Sequence, residues 1–296
     1  MSSLIEKLFK AQQARFGKDE KTLINSLAKK QDPWPNGIVK NALSITIKIV
    51  NGFKCFVVQD KHHEPNDNRI VFIHGGAYVG EISQIHWFYI RNLIKKTNAK
   101  IYVPIYPLTT NEYSGQLDSI DFLVNLYKQI TENEPNKIYH IFGDSAGGNL
   151  GLILAQQIKM NNYKHPQNLI LFSPVLSMED TVTAEVLAKN DPILPYDMLK
   201  TLINWQLQKN DPKNPLFSPL YGDSNNVGNI HIFVGANEFF LYFVKLYCTH
   251  LDKEGIKYYL DIKKGMYHDY PIFMIENAAK ETNKKVYDII NGKFIE

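Results

Sequence analysis

The sequence GDSAGG at residues 143–148 constrains the fold of this chain more than any other stretch. An apolar run that ends in Ile141 and Phe142 precedes it, and a run of helix-forming composition at 150–160 follows it. A serine between a strand and a helix lies on a tight turn that exposes its hydroxyl above the sheet. The glycines two positions before and after Ser145 avoid collisions that Cβ atoms would make there. The helix also directs its N-terminal N–H groups toward whatever Ser145 attacks.

Strand-like and helix-like segments alternate on both sides of this turn. Alternating apolar residues within 43–58, with Asn51 and Gly52 between the two halves, predict an antiparallel hairpin. Further strands are predicted at 70–73, 99–105, 137–142, 168–172, 229–234 and 257–262, and helices at 86–96, 115–131, 147–160, 240–254 and 270–290. This alternation predicts an α/β protein with a mostly parallel sheet covered by helices on both faces.

Two segments fall outside the alternation. Residues 178–227 contain several prolines and no clear strand, so we predict a cap insertion over the carboxyl edge of a core formed by 41–177 and 228–296. Residues 1–40 carry amphipathic helical patterns and are predicted to pack on the body and contribute to the cap. A membrane-surface anchor is the alternative, but the polar faces of these helices mix acidic and basic side chains.

Composition excludes several classes of protein. The 296 residues are 44% hydrophobic, enough for a large core, and the net charge of +3 gives no indication of a nucleic-acid partner. Cys55 and Cys248 lack any metal or redox spacing and are predicted to be buried free thiols. His62 and His63, in the triplet His62-His63-Glu64, point to opposite sides of an extended chain, which favours a solvated loop over a metal site. Without a signal-peptide pattern or a long apolar run, the sequence predicts a soluble cytoplasmic protein with no membrane span.

The sequence HGGAY at residues 74–78 directly follows the predicted strand 70–73. Acyl transfer places negative charge on the former carbonyl oxygen, which requires hydrogen-bond donors fixed in advance. The N–H groups of Gly75 and Gly76, joined by that of Ala146, could supply them, while His74 shapes the loop. A glycine turn that only closes a strand is the alternative, and the pairing with the Ser145 turn argues against it.

A histidine and an acid are the remaining requirements for activating a serine. His268, in the sequence GMYHDY, lies late in the chain after the last predicted strand, where a general base for Ser145 is expected. Glu238 follows the strand 229–234 and is predicted to orient the imidazole. Asp191 in the sequence DPIL is the rival, but it precedes the strand that should deliver the acid. Asp269 is set aside because side chains of adjacent residues diverge.

HGGAY, GDSAGG and GMYH, in this order, resemble motifs of the α/β-hydrolase esterases of the hormone-sensitive lipase group, and the resemblance covers about residues 40–290. It implies an eight-stranded sheet with a helical cap. The reaction that we expect requires no cofactor or metal. The resemblance also implies a triad of Ser145, Glu238 and His268 and an oxyanion hole of the Gly75, Gly76 and Ala146 N–H groups. The chain departs from the group in having Glu238-Phe239-Phe240 where many members have Asp-Pro-Leu, and a divergent stretch at 106–112.

These features predict a serine carboxylesterase that hydrolyses small-molecule esters through an acyl-enzyme. Short acyl groups such as acetyl or butyryl are favoured because bulky aromatic side chains occur near the motifs. Candidate pocket residues are Tyr78, Trp87, Asp144, Trp205 and Phe239. Amides or small peptides are alternative substrates, because the same triad serves them, and a non-catalytic ligand-binding protein is a further alternative. The sequence is compatible with a monomer or a homodimer.

Overall fold

The computed structural model describes residues 32–294 except 111, 180–190, 192, 193 and 195. The amphipathic helices predicted within residues 1–31 lie outside the described residues. None of the described helices combines the length and the apolar character needed to cross a membrane.

The sheet begins with the predicted hairpin. Strand β1 (Leu43–Val50) pairs antiparallel with β2 (Phe53–Asp60), and Val50 lies opposite Phe53. The two connecting residues, Asn51 and Gly52, both have positive φ, at 50° and 82°. A two-residue turn of this kind needs positive φ at both positions, which asparagine and glycine adopt most readily. The local sequence therefore fixes both the turn and the register of the hairpin.

Six parallel strands extend the sheet beyond the hairpin. They are β3 (Asn68–Ile73), β4 (Lys100–Pro104), β5 (Ile138–Asp144), β6 (Asn168–Phe172), β7 (Asn229–Gly235) and β8 (Tyr258–Lys263). The spatial order is β1-β2-β4-β3-β5-β6-β7-β8, in which β2 pairs antiparallel with β4 and all later pairs are parallel. The eight-stranded, mostly parallel sheet expected from the sequence is confirmed.

Helices cover both faces of this sheet. They are α1 (Gly37–Ala42), α2 (Gln84–Thr97), α3 (Gln116–Asn133), α4 (Ala146–Met160), α5 (Tyr196–Leu207), α6 (Leu241–Lys253), α7 (Tyr270–Phe273) and α8 (Asn277–Ile290), with a 3-10 turn at Pro219–Tyr221. Side chains of a strand alternate between its two faces. Thus Ile141 of β5 packs in the layer of α3 and α4, whereas Phe142 packs with α2 and stacks on Phe72 at 4.7 Å between ring centroids. Cys55 and Cys248 are buried free thiols, as predicted.

The single helix predicted at 270–290 is wrong, because two helices occupy this range. Helix α7 ends at Phe273 and is followed by Met274, whose φ of 56° is left-handed, and α8 begins after Glu276. A left-handed residue stops an α-helix because its N–H and C=O leave the helical direction. The apolar periodicity of the two helices runs across the break, so the sequence pattern alone does not show it.

Helix α5 lies in the predicted insertion and is tied to the core by buried amides. The Gln206 side chain donates to Gln116 and accepts from the hydroxyl of Thr109. Gln116 in turn donates to Asn149 Oδ1 at 3.1 Å, and Asn149 donates to the carbonyl of Phe217 at 2.9 Å. Buried amides are costly unless satisfied, so this network fixes α5 against α3 and α4. The division into core and cap stays a prediction.

Candidate active site

The turn that carries Ser145 is strained and closely packed. Ser145 has φ 52° and ψ −117°, between the end of β5 and the start of α4, and its N–H donates to the carbonyl of Phe172 at 2.9 Å. A Cβ atom at Gly143 would lie 2.3 Å from the carbonyl oxygen of Gly147, and one at Gly147 would lie 2.0 Å from the carbonyl oxygen of Ile73. The spacing of the two glycines is therefore a packing requirement of the turn that presents Ser145.

Gly147→Ala is expected to destabilise the fold by about 1–3 kcal/mol, because the added methyl group overlaps backbone atoms of β3 that cannot rotate away. Urea unfolding of the purified variant measures the change in free energy. Gly37→Ala is the matched control: nothing lies within 4 Å of a Cβ atom there, and the residue is in α1. Alanine should change stability there by less than about 1 kcal/mol. Equal effects at the two positions would contradict the packing account.

His268 reaches Ser145 from the loop that follows β8. Its Nε2 atom lies 2.9 Å from Ser145 Oγ, although the two residues are 123 positions apart in the chain. Both residues are buried, with 4% and 7% of their surface exposed. An imidazole nitrogen at this distance can take the hydroxyl proton as a general base.

Glu238 lies beside the other ring nitrogen. Its Oε2 atom is 3.8 Å from His268 Nδ1, longer than a hydrogen bond. The same oxygen accepts from the hydroxyl of Ser173 at 2.7 Å and from the N–H of Gly235 at 3.3 Å. Burial raises the pKa of Glu238 to about 8, against the lowering effects of His268 and the Ser173 hydroxyl. Hydrogen bonds of catalytic groups are often long in the free enzyme and shorten in the substrate complex.

Asp269 is also in contact with the imidazole, contrary to the expectation from its position in the sequence. Its Oδ2 atom lies 3.1 Å from His268 Nε2, the nitrogen that also faces Ser145. The two adjacent side chains do not diverge, because Asp269 has left-handed backbone angles, φ 54° and ψ 26°, which turn its carboxylate back toward the ring. Aspartate is among the few residues that adopt this conformation readily.

Asp191 lies beside the loop that carries Glu238. Its Oδ2 atom accepts from the N–H of Phe239 at 3.0 Å, and its Oδ1 atom accepts from the N–H of Leu194 at 3.1 Å. The structure therefore connects the predicted insertion to the residue immediately after Glu238. The DPIL sequence provides an acid near the site, and that acid holds the backbone next to Glu238.

The loop of residues 74–78 packs against the Ser145 turn. A Cβ atom at Gly75 would lie 2.3 Å from Oδ2 of Asp144. Gly76 has φ +133°, where only glycine is relaxed. Within the described parts of the chain, no backbone hydrogen bond uses the N–H groups of Gly75 and Gly76 outside regular helices and strands. Ala146 opens α4, so its N–H lies in the first turn, where helical N–H groups have no partner within the helix.

The buried side chain of His74 contacts this loop and holds it in place. Its ring Nδ1 lies 2.7 Å from the carbonyl oxygen of Gly75, and the hydroxyl of Tyr106 donates to the His74 carbonyl at 2.7 Å. The imidazole also stacks on the Tyr106 ring, with centroids 4.5 Å apart. Burial lowers the pKa of His74 to about 4, so the ring is neutral at physiological pH and its Nδ1–H can donate to Gly75. The loop is thus held in place by His74 and Tyr106.

Comparison with known proteins identifies the family. A family profile described as alpha/beta hydrolase fold matches residues 70–272. The chain belongs to this family. Resemblance to the hormone-sensitive lipase group is likewise confirmed: a hormone-sensitive lipase of Mus musculus is 23% identical over 205 residues, covering 64% of this chain and 23% of that protein.

Bacterial relatives of this α/β hydrolase carry the names of lipases and esterases. A triacylglycerol lipase of Mycobacterium tuberculosis is 28% identical over 202 residues, covering 68% of this chain but only 42% of that protein. An esterase of Acinetobacter venetianus is 28% identical over 210 residues, covering 69% of this chain and 68% of that protein. The fold matches the crystal structure of a hormone-sensitive lipase from a metagenome library, with a TM-score of 0.81, 22% identity and 98% of each chain covered.

Asp144 of the hydrolase pairs with a histidine that the sequence did not indicate. His86 Nδ1 accepts from the N–H of Ser83 at 3.1 Å, so its Nε2–H donates to Asp144 Oδ2 at 3.0 Å. Burial alone would lower the pKa of His86, but the Asp144 carboxylate outweighs it and the pKa is raised. Asp144 is only 2% exposed and lies between His86 and Gly75. Asp144 therefore supports the glycine loop, and its predicted place in the substrate pocket stays a prediction.

Aromatic side chains lie on the Glu238 side of the hydrolase site. Phe239 is buried and packs edge-on against Phe240 at 5.0 Å between ring centroids. The Phe240 ring lies 5.3 Å from the His268 ring, so Phe240, which sequence reasoning missed, is closer to the chemistry than its neighbour. Its position two residues after Glu238 is the signal that could have indicated it.

The other candidate pocket residues lie in different parts of the hydrolase. Tyr78 is 6% exposed at the end of the glycine loop, with a left-handed φ of 65°. Trp205 is 7% exposed in α5. Trp87 is fully buried in the α2 layer, where its indole N–H donates to the carbonyl of Pro33 at 2.9 Å. Trp87 is therefore a core residue, while pocket roles for Tyr78, Trp205 and Phe239 stay predictions.

Proposed function

We propose that this protein is a serine carboxylesterase that hydrolyses short-chain acyl esters through an acyl-enzyme. The observation that carries the proposal is the 2.9 Å approach of His268 Nε2 to Ser145 Oγ at the strained turn before α4. Relatives named as esterases and lipases support an ester as the substrate. Ser145 is the proposed nucleophile, His268 the general base and acid, and Glu238 the residue that orients the imidazole.

The proposed reaction has two halves. In the first, Ser145 Oγ attacks the ester carbonyl while His268 Nε2 takes the hydroxyl proton, and the resulting imidazolium protonates the departing alcohol. The N–H groups of Gly75, Gly76 and Ala146 face the oxygen that becomes negative in the tetrahedral intermediate. In the second, His268 deprotonates a water molecule that attacks the acyl-enzyme, and the same proton returns to Ser145 as the acid leaves.

Preference for short acyl groups follows from the aromatic surroundings of the site. Phe240 lies against the His268 ring, Phe239 is buried directly after Glu238, and Tyr78 is buried at the end of the glycine loop. Rings held in a packed interior move little to admit extra methylene groups. Acetyl or butyryl groups therefore fit the proposed acyl site better than long chains.

A substrate panel tests this proposal. We expect kcat/KM to be highest for p-nitrophenyl acetate or butyrate and to fall by more than about tenfold for p-nitrophenyl palmitate. The long acyl chain would overpack a rigid pocket at a cost of about 1–3 kcal/mol. Phenylmethanesulfonyl fluoride should abolish the activity and leave its adduct on the Ser145 peptide by mass spectrometry. Faster hydrolysis of acetyl p-nitroanilide than of p-nitrophenyl acetate would support an amidase instead. Absence of any hydrolysis, with ligand binding retained, would support a binding protein.

A further inference from the structure

One ring nitrogen of His268 faces two acceptors. His268 Nε2 lies 2.9 Å from Ser145 Oγ and 3.1 Å from Asp269 Oδ2. In the neutral base form, Nε2 carries a lone pair that accepts from the Ser145 hydroxyl and faces a carboxylate that offers it no proton. In the charged form, Nε2–H donates to Asp269. The two forms of His268 therefore use different partners for the same atom.

We propose that Asp269 is a positioning residue that holds His268 in its protonated form in the free enzyme and thereby sets the pH above which Ser145 is activated. The inference rests on the proposed function, in which His268 is the general base. Loss of a proton from Nε2 to solvent ends the hydrogen bond to Asp269 and frees the lone pair for the Ser145 hydroxyl.

The charged groups around His268 favour the protonated form. Glu238 faces it from the loop after β7, and Asp191 faces it from the predicted insertion. Asp144 and His86 face Asp269 from the other side. Asp269 and Glu238 lie 3.1 Å and 3.8 Å from the two nitrogens of the buried His268 ring. A carboxylate within about 4–6 Å stabilises the charged form of a histidine.

The pKa values of His268 and Asp269 are both raised. Burial alone would lower the pKa of His268. The carboxylates of Asp269 and Glu238 outweigh burial and raise this pKa to about 9. Burial raises the pKa of Asp269 to about 6. Between these values the ion pair of Asp269 and His268 is intact. Because the catalytic base must be neutral, kcat/KM should rise with pH up to about 9 and be level above it.

The backbone makes Asp269 part of the same unit as Glu238. The N–H of Asp269 donates to Ser173 Oγ at 3.1 Å, and the Ser173 hydroxyl donates to Glu238 Oε2 at 2.7 Å. Asp269 also has the left-handed conformation that asparagine tolerates equally well. Asp269→Asn therefore removes the charge while keeping the backbone contact and the shape of the side chain.

The test compares two titrations of wild type and Asp269→Asn. The first follows the His268 ring by NMR of histidine-labelled protein, with His268→Gln to assign the signal. The second follows kcat/KM for p-nitrophenyl acetate from about pH 5.5 to 10. Removing a carboxylate in contact with the imidazole should lower both midpoints by about one to two pH units. The alkaline plateau should fall by about tenfold or less, because the imidazolium formed in the transition state loses the same partner.

Asp261→Asn is the matched control. Asp261 has a side chain 13% exposed, against 14% for Asp269, and its carboxylate pairs with Lys285 at 2.6 Å. This variant should leave both midpoints within about 0.3 pH units of wild type, since its carboxylate is already neutralised by a lysine.

The two titrations distinguish failure of the inference from failure of the proposed function. An Asp269→Asn protein whose NMR midpoint equals that of wild type would overturn the role of Asp269, whatever its activity. If no variant hydrolyses esters, the proposed function fails and the NMR midpoint still reports on the contact. Should Asp269→Asn not fold, wild type alone decides: a His268 midpoint at or below about 6.5, the ordinary value for histidine, overturns the inference.

Discussion

Ser145→Ala is expected to lower kcat for p-nitrophenyl butyrate by about 10⁶-fold, because the reaction loses its nucleophile and the remaining groups cannot act without it. A residual rate above that of water is expected, since the N–H groups of Gly75, Gly76 and Ala146 still polarise the ester carbonyl. Steady-state assays at the alkaline plateau of the pH profile measure the loss. Substrate binding should change by much less than kcat.

Ser224→Ala controls for the loss of a buried serine hydroxyl. Ser224 is 2% exposed, and its hydroxyl bonds to Tyr247 at 2.8 Å, away from His268. Its replacement should cost about 1 kcal/mol of stability and leave kcat within about twofold of wild type. Alanine at position 145 has the same strained backbone angles to satisfy as serine, so the Ser145 variant should fold. Full activity of Ser145→Ala would remove the basis of the proposed mechanism.

The part of the site that the sequence predicts best is the part determined by local geometry. The Ser145 turn needs glycine at 143 and 147 because backbone atoms leave no room for a Cβ atom, and such a requirement is visible in five consecutive residues. The hairpin turn at Asn51 and Gly52 is predictable for the same reason. The alternation of strands and helices then fixes the parallel sheet, because consecutive parallel strands need a crossover helix.

Contacts between distant elements could not be predicted in the same way. His86 and Asp144 are 58 positions apart, and nothing in the residues around either one indicates the other. The contact of Asp269 with His268 depends on left-handed backbone angles at an aspartate, a choice made by tertiary packing. Ser173, which joins Asp269 to Glu238, also has a positive φ of 40°, and the residues around it in the sequence do not indicate this conformation. Such residues contact the groups around Ser145 and His268, and only the folded chain brings them together.

Glu238→Gln is expected to lower kcat by about 10³–10⁴-fold, because a neutral amide stabilises the imidazolium poorly and can hold the ring in the wrong tautomer. The glutamine carbonyl can still accept from Ser173 and Gly235, so the loop should keep its shape. Asp191→Asn is the matched carboxylate-to-amide control, since its carbonyl can still accept from the N–H of Phe239. Weakening that hydrogen bond by about 1 kcal/mol should reduce kcat by less than about tenfold.

The two variants together decide which acid serves His268. Glu238 Oε2 lies 3.8 Å from His268 Nδ1, and a glutamine that closes this gap in the substrate complex lacks the negative charge that stabilises the imidazolium. Asp191, by contrast, accepts hydrogen bonds from the N–H groups of Phe239 and Leu194. A steep loss in Asp191→Asn with near-normal turnover in Glu238→Gln would assign the orienting role to Asp191. It would also mean that the insertion delivers the acid and must shift toward His268 Nδ1 for the hydrolysis to proceed.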